Sequence, residues 1–264
     1  MYETRYHRPN TLAEAAALFA GDARYISGGQ TLIPTMKQRL AAPSDLIDIG
    51  RLPELRGIAA VANGVSIGAA MTHAEVAASD VVRNAIPALA ALAGTVGDPA
   101  VRHMGTLGGS LANNDPAADY PAAVLALGAT VHTDRRKIAA GDFFAGLFAT
   151  ALEEGEIVTR VDFPAPAKAA YEKFRNPASR YAMAGVFVAV MKDGSIRVAV
   201  TGAGDNGVFR ATAIEEVLTK SWSPTAVDAV TIDPAGMLSD IHGTAAYRAN
   251  LVKVMTKRAV VAAG

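Results

Sequence analysis

The sequence predicts an α+β protein made of three successive units. Short β-rich stretches alternate with helical segments through the first two thirds of the chain, and capping signals mark several helix starts. The proline-rich segment Pro164–Ala167 separates these elements from a final hairpin that is followed by helices. A chain of 264 residues is long enough for this division. We place the units at residues 1–54, 55–166 and 167–264.

The first unit is predicted to contain two helices and two strands. Thr11 and Glu14 form a capping box, so a helix begins there and runs to about Ala20. A short strand over 24–27 leads into a glycine-rich loop. Pro34 fits the first turn of the next helix, and a strand over 45–49 closes the unit.

The second unit opens with a hairpin that turns at Asn63-Gly64, a dipeptide that favours tight hairpin turns. Thr72 and Glu75 form another capping box at a helix start. Apolar patterning predicts the remaining elements. These are helices over 85–93 and 120–127 and strands over 129–133, 137–140 and 157–163.

The third unit begins with two apolar stretches, 182–191 and 196–201, which flank Asp193-Gly194 and predict a second hairpin. Helices are expected over 212–219, 224–230 and 245–261. The segment Gly202–Gly207 fits the G-x-G-x-x-G pattern of dinucleotide-binding folds, but it also fits a turn-rich connection. Too little chain follows it to complete a doubly wound sheet, so we favour the connection.

Composition excludes several classes of function. The formal charge is zero and Lys and Arg do not cluster, so nucleic-acid binding is not expected. Cysteine is absent, which excludes disulfides, Cys-type zinc sites and Cys-ligated iron–sulfur clusters. The five histidines lack metal-binding spacing. The N-terminus is polar and no apolar stretch is long enough to cross a bilayer, so we expect a cytoplasmic protein without membrane insertion.

Two glycine-rich segments, Ser27–Thr31 and Thr106–Ser110, are the most informative features. A Gly-Gly pair flanked by hydroxyl side chains lets the backbone approach a ligand closely. Successive N–H groups in such a turn, or at a helix start, bind anions without a basic side chain. Two segments of this kind indicate a ligand with a central diphosphate held from both sides, such as a dinucleotide.

Asp115 and Asp119 precede the helix over 120–127, and three interpretations stay open. They fit a carboxylate pair for acid–base chemistry. They also fit helix N-terminal capping, which is sufficient by itself to explain both residues. Asp119 also lies close enough to the second glycine segment to accept hydrogen bonds from ribose hydroxyls. Lys173 and Arg175 fit solvated charges, or a cation that stabilises the charge on a reduced flavin.

Read together, these segments resemble the FAD-binding medium subunits of molybdenum hydroxylases, a family that includes aerobic carbon monoxide dehydrogenase and the flavin portion of xanthine dehydrogenase. The segment Ile26–Pro34 resembles the family's Ala-Gly-Gly-Gln-Ser-Leu-Ile-Pro motif, with Ser27 in place of Ala and Thr31 in place of Ser. The other matching segments are Val96–Leu111, Asp115–Ala122, Phe144–Phe148, Lys173–Arg175 and Ser239–His242.

The resemblance implies a two-subdomain FAD-binding domain of the vanillyl-alcohol-oxidase (PCMH) type, followed by a C-terminal sheet-and-helices domain. It implies that the glycine segments hold the diphosphate and that Asp119 contacts the ribose. It also implies that Val96, Gly97 and Val158 lie near the flavin ring, with Lys173 at its polar edge, and that Tyr181 covers a ring face. The implied cofactor-binding residues are Ser27, Gly28, Gly29, Gln30, Thr31, Leu32, Val96, Gly97, Thr106, Gly109, Ser110, Asn113, Asp119, Val158, Lys173 and Tyr181.

The resemblance also implies that this chain carries no catalytic residue for substrate. A large molybdopterin subunit would oxidise the substrate, and a small subunit with [2Fe–2S] clusters would pass electrons to FAD on this chain. Met36, Lys37 and Arg39 are our candidates for the docking surface. The alternatives are a self-sufficient FAD-dependent oxidase or dehydrogenase and a non-enzymatic nucleotide-binding module.

Overall fold

The structure is a computed structural model that describes all residues, 1–264. The first part of the chain forms a parallel three-stranded sheet in the order β1-β3-β2. Its elements are β1 (Arg5–His7), α1 (Leu12–Leu18), β2 (Arg24–Ile26), α2 (Leu32–Lys37) and β3 (Asp45–Asp48). Strand β1 is not predicted by the sequence, because its three residues are polar or exposed and its partner β3 lies far along the chain.

The middle of the chain forms a five-stranded antiparallel sheet in the order β4-β5-β10-β6-β7. Seven helices and a small separate hairpin, β8-β9, accompany it. The elements are β4 (Ile58–Val61), β5 (Gly64–Gly68), α3 (His73–Ala78), α4 (Asp80–Ala85), α5 (Pro87–Gly94), α6 (Pro99–Met104), α7 (Leu107–Asn113), α8 (Tyr120–Leu127), β6 (Thr130–Thr133), β7 (Lys137–Ala139), α9 (Ala140–Phe143), β8 (Phe144–Gly146), β9 (Ala149–Thr150) and β10 (Val158–Pro164).

The last part of the chain forms an antiparallel sheet in the order β11-β12-β13-β14, with a long helix packed on β11 and β12. The elements are β11 (Lys168–Arg175), β12 (Ala182–Val190), β13 (Ile196–Thr201), β14 (Phe209–Arg210), α10 (Thr212–Lys220) and α11 (Ala245–Ala263), with 3₁₀ turns at Pro53–Leu55, Pro224–Ala229 and Pro234–Gly236. The predicted helix over 224–230 is therefore a 3₁₀ segment. Gly202–Gly207 connects β13 to β14, which confirms its interpretation as a connection.

The hydrophobic cores join these parts. The largest core contains β5, β10, α5 and α8, and it also includes Phe187 and Ala199 of the C-terminal sheet. A smaller core around Ile47 includes Ile157, the residue immediately before β10. Each main sheet falls within one predicted unit, while the apolar packing crosses between units. The boundaries at 54/55 and 166/167 stay a prediction. No helix is long and apolar enough to cross a membrane.

Candidate cofactor site

The first glycine segment is an open loop between β2 and α2. Gly29 has a φ of +67°, a left-handed conformation that favours glycine. The backbone N–H groups from Gly28 through Leu32 have no hydrogen-bond acceptor within the protein. A run of free N–H groups in a turn binds anions through its aligned dipoles. This loop therefore has the donors that a diphosphate requires.

The second glycine segment is a helix rather than a loop, because Gly108 and Gly109 lie in the first turn of α7. Its N–H groups are already used: Leu107 donates to Met71 (3.0 Å), Gly108 to Ala69 (2.8 Å) and Gly109 to the Thr106 hydroxyl (3.2 Å). The expectation that backbone N–H groups grip a ligand from both sides is thus wrong for this side. Neighbouring backbone and the Thr106 cap satisfy the donors.

The two glycines of α7 differ in their surroundings. A Cβ on Gly108 would lie 2.6 Å from the Cβ of Ala69, so Gly108 is required for packing. Gly109 is exposed, and a Cβ there would approach only the Thr106 hydroxyl, at 2.9 Å. Ser110, the next residue, and Asn113, one turn further along α7, have half-buried side chains that make no hydrogen bond within the protein. They are free to contact a ligand over the smooth surface at Gly109.

The two glycine segments touch. Thr106 Oγ1 donates to Ser27 Oγ at 3.2 Å. A Cβ on Gly28 would lie 2.1 Å from the carbonyl oxygen of Met104, so only glycine permits this approach. The free donors of the first segment and the free side chains of α7 therefore belong to neighbouring surfaces. Residues of this kind fit the diphosphate of FAD.

Arg102 of α6 organises the segment expected near the flavin ring. Its Nη1 donates to the carbonyls of Val96 (3.0 Å) and Gly97 (3.1 Å). Gly97 has a φ of +50°, so the chain turns sharply there. Val158, the third residue expected near the ring, is buried in the main core. Arg102 was not predicted; its signal is only a basic residue in the last turn of a short helix.

Asp119 is buried and does not cap α8, so the capping interpretation is wrong for this residue. Lys173 Nζ donates to both carboxylate oxygens, at 2.9 and 3.0 Å, and the Tyr171 hydroxyl donates to Oδ1 at 2.5 Å. Burial raises the pKa of Asp119, while the charge of Lys173 and the two hydrogen-bond donors oppose that rise. Sequence reasoning missed Tyr171.

Tyr181 lies just before β12 with its side chain exposed. Partial burial, followed by the charges of Asp115 and Asp119, raises the pKa of the Tyr181 phenol. Asp115 accepts a hydrogen bond from the N–H of Ala117 at 2.8 Å. Of the predicted site residues in this region, the structure brings Asp119 and Lys173 into direct contact.

A second pair of polar side chains, His73 and Tyr120, is buried. His73 and Tyr120 have ring centroids 5.4 Å apart. The Nδ1 of His73 and the hydroxyl of Tyr120 are buried without a hydrogen-bond partner. Burial, together with the charge of Arg102, lowers the pKa of His73 to about 4. A Cβ on Gly105 would lie 2.7 Å from His73 Nε2, so this neutral imidazole directly supports the turn before Thr106.

The predicted docking residues differ in exposure. Lys37 and Arg39 are exposed, and the Arg39 guanidinium lies 5.8 Å from the centroid of the Tyr2 ring. Met36 is only 1 % exposed, so it belongs to the core and its assignment to the surface is wrong. The helical period explains this result, because Met36 and its neighbour Lys37 point to different faces of α2.

Comparison with known proteins agrees with this geometry. Residues 2–166 match the family described as the FAD binding domain in molybdopterin dehydrogenase. The chain belongs to this family. It is 36% identical to the carbon monoxide dehydrogenase medium chain of Hydrogenophaga pseudoflava, over 98% of this chain and 96% of that one. It is 37% identical to the nicotine 6-hydroxylase medium subunit of Paenarthrobacter nicotinovorans, over 98% and 97%.

The solved structures agree with the family assignment. Reconstituted CO dehydrogenase from Oligotropha carboxidovorans superposes with a TM-score of 0.91 at 35% identity, covering 99% of this chain and 97% of that chain. The expected family, its two-part FAD-binding fold with a C-terminal domain, and FAD as the cofactor are confirmed. This chain is an oxidoreductase subunit of the FAD-binding molybdopterin dehydrogenase family.

Proposed function

We propose that this chain carries FAD in a heteromeric molybdenum hydroxylase and passes electrons from iron–sulfur clusters of a partner chain through FAD to an acceptor. The observation that carries the proposal is the contact between the two glycine segments, because it places a loop with free backbone N–H groups beside the start of α7, where Gly109 is exposed. The relatives are named as medium chains or subunits, which places them in larger assemblies.

The residues of this chain bind and orient the cofactor. The N–H groups of 28–32 would hold the diphosphate, and the free side chains of Ser110 and Asn113 would add donors from the opposite side. Val96, Gly97 and Tyr181 would lie at the ring, with Lys173 and Asp119 behind them. Bound FAD supplies a redox centre that accepts electrons and passes them on.

Electrons have to arrive from another chain. The sequence contains no cysteine, so no cluster with thiolate ligands can be held here. We infer a small [2Fe–2S] subunit and a large molybdopterin subunit as partners. Relatives with the same architecture are named for carbon monoxide in one case and nicotine in another. The substrate is therefore a property of the partner, and no observation favours a self-sufficient oxidase.

Copurification from the native host, with cofactor analysis, tests this proposal. We expect a complex that contains FAD, molybdopterin and iron–sulfur clusters, recovered from the cytoplasmic fraction. The isolated chain should bind FAD without oxidising carbon monoxide, purines or aldehydes. Recovery of the chain alone, with substrate oxidation of its own, would contradict the proposal.

Charge reversal at Lys37 and Arg39 tests the docking surface separately. If these exposed cations contact the partner, the double variant Lys37→Glu/Arg39→Glu weakens copurification and keeps full FAD content. Unchanged assembly would place the interface elsewhere. Arg24→Glu is a suitable control, because Arg24 is an exposed cation of β2, outside the helix that carries the tested residues.

A further inference from the structure

Helix α2 ends in a hydrogen-bonded turn that is usually built with glycine. The N–H of Arg39 donates to the carbonyl of Met36 (3.0 Å), and the N–H of Leu40 donates to the carbonyl of Thr35 (3.0 Å). These two bonds define a Schellman motif, in which the first residue after the helix cap is left-handed. Here that residue is Arg39, with a φ of +63°. A Cβ in this conformation crowds the following carbonyl oxygen, so an arginine lowers stability at this position.

The next residue also departs from the usual motif. The second residue after the cap frequently packs an apolar side chain on the last turn of the helix. Leu40 holds this position, but it is 75 % exposed. The residue that would receive it is Thr35, a polar residue whose hydroxyl donates to the carbonyl of Thr31. The end of α2 therefore presents a leucine to solvent instead of burying it.

Exposed cations accompany this leucine. Lys37 and Arg39 are exposed, and neither forms an ion pair within the protein. The Arg39 guanidinium lies over the ring of Tyr2, which is itself exposed. Tyrosine and arginine around an apolar side chain are typical of protein interfaces. This surface is complementary to an apolar pocket that is bordered by carboxylates.

The surface formed by Tyr2, Lys37, Arg39 and Leu40 lies close to the cofactor site. Helix α2 begins at Leu32, directly after the first glycine segment, and its six residues span about 9 Å. A protein chain seated on the end of α2 would therefore lie near the bound cofactor.

We propose that this surface docks the partner subunit that carries the iron–sulfur clusters, with Leu40 in an apolar pocket and Lys37 and Arg39 against carboxylates. The inference rests on the proposed function, and it adds the anchor residue and the identity of the bound partner. The electron donor has to approach FAD closely, whereas the subunit that oxidises the substrate does not. Backbone strain such as that at Arg39 is characteristic of binding sites.

Two substitutions separate docking from folding. Each is made in the affinity-tagged full chain, produced together with its partners, and the iron-to-FAD ratio over a dilution series gives the dissociation constant of the complex. Arg39→Gly relieves the left-handed strain, so the melting temperature of the chain should rise by about 2–4 °C. The dissociation constant should nevertheless rise by about threefold to tenfold, because a cation is lost.

Leu40→Ser should leave the melting temperature unchanged and raise the dissociation constant by about tenfold or more, since a buried leucine is lost from the interface. Val261→Ser is the matched control, because Val261 is 65 % exposed on α11, and it should change neither quantity. A chain that becomes more stable but assembles less well is not explained by misfolding. Wild-type assembly of both Arg39→Gly and Leu40→Ser would overturn the proposal.

Photo-crosslinking identifies the bound chain. With p-benzoylphenylalanine in place of Leu40, the assembled complex should form a crosslink to the subunit that contains the iron–sulfur clusters. A crosslink to the molybdopterin subunit, or no crosslink in an assembled complex, would also overturn the proposal. A wild-type chain that carries FAD but copurifies with no iron–sulfur subunit would instead refute the proposed function.

Discussion

The two glycine segments have nearly the same sequence chemistry but different structures. In Ser27–Thr31 the chain is an open loop whose N–H groups are free, while in Thr106–Ser110 it is the first turn of α7 and its N–H groups are used. The first segment therefore supplies backbone donors, and the second supplies a surface without side-chain bulk. A Gly-Gly pair in both segments indicates that the backbone closely approaches another group. It does not indicate whether backbone N–H groups or neighbouring side chains make the contact.

The largest effect should come from the glycine at the contact between the segments. Gly28→Ala places a Cβ against the Met104 carbonyl and forces the segments apart. We expect FAD binding to be lost and the free energy of unfolding to fall by about 2 kcal/mol. FAD titration and denaturant unfolding measure both. Gly141→Ala, where a Cβ meets nothing within 4 Å, is the control and should change neither.

The second largest effect is expected at the two glycines of α7, where substitution should affect FAD binding in one case and stability in the other. Gly109→Leu should abolish FAD binding and change the free energy of unfolding less than Gly108→Ala does, because the new side chain meets only the Thr106 hydroxyl and otherwise enters the ligand surface. Gly108→Ala should instead lower stability by about 1–3 kcal/mol through its clash with Ala69. Full retention of flavin by Gly109→Leu, with Gly141→Leu as a control, would refute a cofactor site over this turn.

A smaller effect is expected from two adjacent asparagines. Asn113 is free, so Asn113→Ala should weaken FAD binding by about tenfold through loss of a hydrogen bond to a charged group. Asn114 is buried, has a φ of +42° and donates to the carbonyls of Gly146 and Ala149. Asn114→Ala should therefore reduce the melting temperature more than the FAD affinity. The opposite result, in which Asn114→Ala mainly weakens FAD binding and Asn113→Ala mainly lowers the melting temperature, would contradict both assignments.

The smallest effect is a pH dependence of the free energy of unfolding, and it comes from His73, which supports the second glycine segment. Burial lowers the pKa of His73 from its ordinary value of 6.5 to about 4, so the folded chain favours the neutral imidazole. The unfolded chain thus binds more protons in this window, so stability is full above pH 6.5 and falls as the pH falls toward 4. At pH 5.5 the loss from this group is about 1.4 kcal/mol relative to pH 8.

His73→Phe removes this titration. The difference in unfolding free energy between pH 5.5 and pH 8 should then shrink by that amount, as measured by urea unfolding at the two pH values. An unchanged pH dependence in the variant would show that His73 does not titrate in this range.

Local signals in the sequence predicted many elements well. The Thr72–Glu75 capping box is present, with both of its hydrogen bonds, at the start of α3. The predicted helix 120–127 is α8 itself, and the predicted hairpin forms between β4 and β5, although its turn lies at Ala62 and Asn63, one residue before the expected position. Each of these depends on residues close together in the chain, so composition and spacing are sufficient to identify them.

The features that the sequence does not predict depend on contacts between residues far apart in the chain. Strand β1 exists because it pairs in parallel with β3. Gly108 and Gly109 lie in a helical turn, and the N–H groups at its start, those of Leu107 and Gly108, donate to the carbonyls of Met71 and Ala69. The Lys173–Asp119 pair joins residues 54 positions apart. Helix and loop signals in the sequence contain no information about such partners, whereas the family resemblance identified the region but not these bonds.

We propose that the free N–H groups of the first segment recognise the diphosphate of FAD. Titration of the full chain with FAD, ADP and riboflavin tests it most directly. We predict that FAD binds at least about a hundredfold more tightly than riboflavin, since hydrogen bonds to charged groups contribute about 1.5–3 kcal/mol each, and that ADP competes with FAD. Equal affinity for FAD and riboflavin, with no competition by ADP, would contradict the account.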